Sequence, residues 1–503
     1  MGLRNAIPGR AMLRDANSCE LKTINKVRSM ASTQAAVAAG SYTGQGFGTP
    51  AYRSFVLYTL TLVYTLNFID RVLIGVVAQP IIEEFRLQDW QFGLLSGFGF
   101  ALMYTLMGIP IARLSERYNR VRIIAASVIL WSAMTALCGV AGGFLALLVF
   151  RIGVGIGEAG CTPPANSLIA DYFPPRSRAR ALAVYSMGIT IGGVLANAFG
   201  GPVAEMFSWR EAFLVLGIPG VVIGIAVLFI IKEPPRGYAD PPGTPEVERL
   251  GFRETVAELT RKPTFWTNTL AAALVAFVGY GLINFQAAFF QRVHGMSVAE
   301  VAMEVAVPLG LAASFGAFAA GYLTERLSTR FPNAVAWIPG LGLLAAVPMY
   351  VLGLSADSVG VALGLMIIGA ILHYSYLGAQ YTICQGVAST RARATAVALF
   401  LFIVNLIGYG LGPLWVGLLS DMRMEALLQD SPHAAELSLQ ACKGAASALV
   451  DSLGEIKAGD CLAASAEGLR QSLSSTILVL ALAGGGYLWI CRGLQRDLVS
   501  RLH

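Results

Sequence analysis

Four ionisable residues stand inside otherwise apolar stretches of the chain: Asp70 and Arg71 in residues 55–78, and Arg151 and Glu158 in residues 144–169. A charge placed within a lipid-spanning segment is costly and usually functional. At 1.5 Å per residue, Asp70 and Arg71 lie about 22 Å along their helix. The other helix runs the opposite way, and Arg151 lies about 10 Å in from its outer end, at a similar depth. Glu158 falls on the same face as Arg151, about 10 Å further along. Two acids and two bases cancel, so they are expected to meet in one cavity as a paired cluster. The chemistry open to such a cluster is reversible protonation. Burial favours the neutral carboxylic acid, and a guanidinium alongside favours the carboxylate. An arginine moving between two acids during a conformational cycle would load and unload a proton. On this reading Asp70 and Glu158 carry the proton. Arg71 and Arg151 are their partners, or they hold the anionic group of a substrate. The alternative is a static bridge that pins two helices together.

The elements that must position these groups follow from composition. Of 503 residues, 55% are hydrophobic and only 13% are Asp, Glu, Lys or Arg, against about 25% charged residues in soluble domains. Mean hydropathy is +0.63. A soluble multidomain enzyme, a disordered chain and a secreted disulfide scaffold are thereby excluded. A span needs about 20 apolar residues. Twelve such runs lie near 55–78, 90–112, 122–141, 144–169, 181–204, 211–231, 265–290, 300–323, 334–355, 359–385, 395–419 and 473–491.

The net charge of +6 is no signal of nucleic-acid binding, because residues 1–53 alone supply +5 of it. Such a tail suits an anionic membrane surface. No apolar core of a signal peptide lies in the first fifty residues, so none is expected to be cleaved. If the N-terminus is cytoplasmic, the loops on that side and the tails hold 27 of the 36 Lys and Arg. That asymmetry predicts both termini in the cytoplasm.

The chain also repeats itself. Residues 176–184 read RSRARALAV and residues 389–397 read STRARATAV, while LSER at 114–117 recurs as LTER at 323–326. The offsets of 213 and 209 residues are nearly equal. Internal repeats of this kind mark secondary transporters, whose substrate binds between the halves. The organisation expected is a basic tail (1–52), a six-helix bundle (53–231), a cytoplasmic linker (232–264), a second six-helix bundle (265–492) with an extracytoplasmic loop at 420–472, and a short tail (493–503).

Residues 112–122, ARLSERYNRVR, resemble the loop signature of the major facilitator superfamily. Asn119 replaces its second glycine, a place where positive φ is expected and Asn is the best substitute. NFIDR at 67–71, RIGVGIGEA at 151–159 and DYFPPRSRARA at 171–181 resemble the Spinster branch of that superfamily. The resemblance implies an all-α membrane protein with twelve transmembrane helices in two pseudo-symmetric six-helix bundles. It also implies a proton-coupled transporter of an amphipathic, lysophospholipid- or sphingoid-like substrate, with Asp70, Arg71, Arg151 and Glu158 at the intramembrane charged positions. By the same analogy Glu116, Arg117, Arg120, Asp171, Arg178 and Arg180, with the repeat partners Glu325, Arg326, Arg391 and Arg393, form a cytoplasmic gate network. The alternative is loop charge that only sets topology.

Tyr280, Asn284 and Gln286 of the seventh span, with His373, Tyr376 and Gln380 of the tenth, are candidates for the lining of the second half of the cavity. Gly153, Gly155, Gly157 and Gly160 are read as a helix-packing run, since no strand precedes them. Cys442 and Cys461 share the 420–472 loop, outside the cytoplasm, where a disulfide between them is permitted. No metal-ligand spacing, Walker loop or nucleophile motif appears, so no metal, cofactor or enzymatic activity is expected. Partners are protons, the substrate and membrane lipids, and the chain is expected to act as a monomer. A second reading within transport is a proton-coupled carrier of a soluble organic anion or drug.

Overall fold

The computed structural model describes residues 46–240 and 250–499. The basic tail up to residue 45, the proline-bearing middle of the linker and the last four residues lie outside the described residues. Among the described residues, twelve helices are long and apolar enough to cross a membrane. In chain order they are α1 (Pro50–Val76), α2 (Asp89–Arg117), α3 (Arg120–Cys138), α4 (Phe144–Tyr172), α5 (Pro175–Met206), α6 (Trp209–Ile230), α7 (Pro263–His294), α8 (Val298–Ser328), α9 (Ala334–Leu354), α10 (Val359–Val387), α11 (Arg393–Gln429) and α12 (Glu455–Ile490). Helices α1–α6 form one bundle and α7–α12 the other. Within them α1 packs along α5, α3 along α6, α7 along α11 and α9 along α10.

Local chemistry sets the helix ends. The Thr49 side chain accepts from the Tyr52 N–H at 3.2 Å, and Pro50 occupies the first helical position of α1, where its missing N–H costs nothing. Asn119 does not take positive φ. It sits at φ −64° and caps α3, its side chain accepting from the Arg122 N–H at 2.9 Å. Capping gives the amide a bond that the left-handed turn would not.

Several spans are irregular along their length. Helix α4 breaks at residues 159–161, just after Glu158, where Pro163 and Pro164 withhold two backbone donors. Helix α10 breaks at residues 374–375, just after His373. Glu158 and His373 stand 215 residues apart, close to the repeat offset, so interrupted helices occupy corresponding places in the two bundles. Wide π turns occur at Leu94–Phe98 in α2, Val301–Ala306 in α8 and Asn405–Leu411 in α11.

The 420–472 segment is not the loop expected from hydropathy. Helix α11 runs on to Gln429, α12 begins at Glu455, and Ala446–Leu453 forms a short helix between them. These extensions are amphipathic, so a window tuned to unbroken apolar runs cuts them off. They enclose a small core of Met424, Leu428, Leu437, Cys442, Leu449 and Cys461. A disulfide joins Cys442 to Cys461.

Both described chain ends and the linker gather at one end of the molecule, here called the basic end. At the opposite, far end the bundles meet closely. A Cβ added to Gly417 of α11 would lie 2.2 Å from the carbonyl oxygen of Asp89 in α2, so only glycine permits this approach.

Candidate functional site

Asp70 and Arg71 lie near the far end of α1, and Arg151 and Glu158 lie on α4, which runs antiparallel to it. In a helix each Cα–Cβ bond tilts toward the N-terminus. Arg71 therefore leans toward the basic end and Glu158 toward the far end, so the two converge. Arg71 Nε donates to Glu158 Oε2 at 2.6 Å. Asp70 and Arg151 start at similar depths, lean apart and form no ion pair. The four charges gather in one buried site, where Arg71 and Glu158 are bonded and Asp70 and Arg151 have no bond between them. Asp70 is 4% exposed, and its Oδ1 has no hydrogen-bond partner among the described residues. Arg151 is fully buried, and all three of its guanidinium nitrogens are unpartnered there.

Aromatic rings take over part of the solvation of these cations. The Arg71 guanidinium lies 4.4 Å from the Tyr104 ring centroid, 5.2 Å from Phe68 and 5.3 Å from Phe100. Arg151 lies 5.4 Å from the same Phe100 ring, each such contact being worth about 0.5–2 kcal/mol. Phe100 thus separates the two arginines. Gly155 makes this possible, because a Cβ there would lie 2.6 Å from the Phe100 carbonyl oxygen.

The second bundle reaches this site through one residue the sequence reading did not single out. Tyr409, in the π turn of α11, packs 5.0 Å from Phe100 and 4.4 Å from Tyr280, ring to ring. Its buried phenolic oxygen has no partner among the described residues. A π turn in an apolar helix leaves little trace in hydropathy, and the signal available was its GYG sequence at 408–410.

The proposed lining residues divide into four groups. Tyr280 touches the charged site through Tyr409. Asn284 packs at the seam between α1 and α7 and donates to the Tyr280 carbonyl at 2.9 Å. Gln286 borders a small gap with Val72, Asn197 and Val301. His373, Tyr376 and Gln380 are all buried within the second bundle, and His373 Nδ1 lies 3.4 Å from the Tyr350 hydroxyl.

At the basic end, Arg120 is fully buried and pairs with Asp171 and with Glu233, the latter at 2.6 Å. Arg178 binds Asp240 at 2.8 Å, and Asp171 accepts from the Gly237 N–H. This network therefore clasps the start of the linker to the first bundle, through Glu233 and Asp240, which the sequence reading did not include. Glu116, Arg117 and Arg180 lie exposed beside it. In the second bundle Glu325, Arg326, Arg391 and Arg393 are exposed, Arg326 lies over the Tyr322 ring, and the Arg391 carbonyl accepts from the Leu250 N–H. Glu258, on the linker helix Phe252–Thr260, accepts from the Ser389 N–H and hydroxyl at 2.9 and 2.7 Å.

A second charged group, at the far end, was also missed. Arg292 of α7 donates two hydrogen bonds of 2.8 Å to the two carboxylate oxygens of Asp89 at the start of α2. Its partners stand more than 200 residues apart in sequence, and no motif links them.

Two repeated bundles of six spans, closed on one another at one end and carrying buried charges at an interrupted helix, define a secondary transporter. It is a multi-pass integral membrane protein and not an enzyme. The chain belongs to the Major Facilitator Superfamily, which it matches over residues 60–413, and within it is of Spinster type. It is similar to a solved bacterial homolog of the human lysosomal transporter Spinster in an inward-facing, unoccupied conformation, at 47% identity and TM-score 0.83, over 90% of this chain and all of that one. It is 33% identical to an MFS-type efflux pump of Mycolicibacterium smegmatis, over 72% of this chain and 83% of that protein. It is 29% identical to Protein spinster of Drosophila melanogaster, over 74% of this chain and 63% of that protein.

Proposed function

We propose that this protein is a proton-coupled transporter that moves an amphipathic, lipid-like substrate by alternating access, with both termini in the cytoplasm. The observation that carries the reading is the contrast within one buried site: Arg71 is bonded to Glu158, while Asp70 and Arg151 are left without a bond between them.

Charge neutrality in the membrane interior links the steps. With both acids ionised, the four groups sum to zero. A proton taken by Asp70 or Glu158 leaves the site positive, a state the lipid interior disfavours. An anionic head group beside Arg151 restores neutrality. Proton and anion therefore strengthen each other's binding, by the same factor in both directions. Protonating Glu158 also releases Arg71, which has Asp70 as its neighbour in the chain. The guanidinium can then move between the acids as the bundles rock.

Phe68, Phe100, Tyr104, Tyr280 and Tyr409 surround the cations and suit the apolar part of an amphipath. The basic residues of the tails and linker favour the cytoplasmic placement of that end. The far-end closure fits an inward-facing state, and the clasp on the linker then belongs to the side that opens.

A second reading, a proton-coupled carrier of a soluble organic anion or drug, is favoured by the likeness to an efflux pump and by the unpartnered Arg151. Counterflow in proteoliposomes separates the two, using lysophospholipids, phosphorylated sphingoid compounds and organic anions with and without a pH gradient. Exchange of a lysolipid or sphingoid compound, stimulated by the gradient, is expected. Exchange of organic anions that lipids neither support nor inhibit would select the second reading.

A further inference from the structure

The closed far end contains a socket on the second bundle that receives the start of α2. Ser420 of α11 donates to the Asp89 carboxylate at 2.6 Å, beside the two bonds from Arg292. Asp421, next on α11, accepts from the backbone N–H groups of Asp89 and Trp90 at 3.1 and 2.8 Å. It thus caps the first turn of a helix that belongs to the other bundle. Lys443 Nζ lies 3.0 Å from Asp421 and 3.8 Å from Asp89. Asp89 is 1% exposed, and Asp421 and Lys443 are each 5% exposed.

We infer that Lys443 is a positioning residue of the transport cycle, held by the Cys442–Cys461 disulfide so that the second bundle presents a net-positive socket which docks Asp89 and shuts the far end. The socket carries Arg292, Lys443 and Asp421, a net charge of +1, and Asp89 brings −1. Without Lys443 the closed cluster would hold two buried carboxylates against one cation, which burial disfavours. Lys443 comes from no span. A lysine on a loose segment would have to be ordered anew at each closure, at an entropic cost. Here the residue before it is bonded to α12, and Leu437, Cys442 and Leu449 pack against Met424, Leu428 and Ala458. These contacts all lie within the second bundle, so the socket is ready-made whether or not α2 is docked.

The inference rests on the alternating-access part of the proposed function. Its test reads far-end spacing without substrate or pH gradient, so the proton and lipid readings can fail independently of it. Spin labels carried on unnatural amino acids at Val140 and Ser355, exposed loop positions at the far ends of opposite bundles, report that spacing by double electron–electron resonance. Lys443→Met is expected to raise the separated population about fivefold or more. The charge-balancing double variant Lys443→Met/Asp421→Asn is expected to return it to the wild-type value, which a loss of folding or packing would not do. Cys442→Ser/Cys461→Ser, with Lys443 retained, is expected to raise it as well. Wild-type spacing in Lys443→Met, or no return in the double variant, overturns the role of Lys443. Wild-type spacing in the serine pair overturns the role of the tether.

Discussion

Arg71 Nε donates to Glu158 Oε2 across 2.6 Å, joining α1 to α4 inside the first bundle. The two partners are not equivalent. Without Glu158, Arg71 still faces the rings of Tyr104, Phe68 and Phe100. Without Arg71, Glu158 keeps a buried charge and loses its bonded arginine.

Arg71→Ala is therefore expected to cost about 3–5 kcal/mol of stability, and Glu158→Gln distinctly less. Arg71→Ala/Glu158→Gln should recover most of the loss. Thermal unfolding of the three variants in one detergent checks this order, and equal losses for the two single variants would contradict it.

Arg151 calls for a different test. Its guanidinium is buried without a bonded partner among the described residues, and with Arg71 it balances the charges of Asp70 and Glu158. Arg151→Gln leaves two buried carboxylates against one cation, so it should melt below the wild type and lose binding of an anionic substrate. Arg151→Gln/Asp70→Asn, in which the charges balance again, should regain the melting temperature but not the binding. Melts run beside calorimetry test both halves, and an unchanged melting temperature in Arg151→Gln, or binding that returns in the double variant, would contradict the account.

How much of this was legible in the sequence depended on the kind of signal. The twelve spans, the repeat and the four intramembrane charges were readable because lipid imposes long apolar runs and makes exceptions conspicuous. The pairing was not, since it turns on the direction in which side chains lean from antiparallel helices. The ends of α11 and α12 were hidden because amphipathic turns fall below a hydropathy threshold. Asp421 was invisible for another reason: it bonds to backbone N–H groups, which carry no residue identity, of a helix 331 and 332 residues away. Of the network at the basic end, Arg120 and Asp171 were legible from the loops, whereas Glu233 and Asp240 looked like ordinary linker charge.

Tyr409 carries the second bundle to the charged site, and its hydroxyl is free to accept or donate there. Tyr409→Phe keeps the ring contacts and should leave stability unchanged. It should raise KM for a substrate with a charged head about tenfold, the worth of one hydrogen bond to a charged group. Initial-rate transport kinetics checks this, and a change in Vmax with constant KM would place the hydroxyl in the conformational step instead.

Glu258 anchors the linker helix to Ser389. Burial pushes its pKa up, but the bonds from the Ser389 N–H and hydroxyl, with Lys262 nearby, outweigh burial and hold the carboxyl below its ordinary 4.5. Its folded value is thus lower than its unfolded one, so the anchoring is present above the ordinary value and is lost as pH falls through the folded one. Limited acid-tolerant proteolysis of the linker should accelerate over that window in the wild type. Glu258→Gln should be cleaved faster at neutral pH and lose the step. A step of wild-type size in the variant would assign the titration elsewhere.

The central claim, that Asp70 and Glu158 carry the proton, is tested most directly in proteoliposomes with an imposed pH gradient. Substrate uptake is compared among wild type, Asp70→Asn and Glu158→Gln, each shown to be folded by its melt. The account predicts that both variants still exchange substrate in counterflow while uptake no longer responds to the gradient. Full gradient-driven uptake in both variants would contradict it.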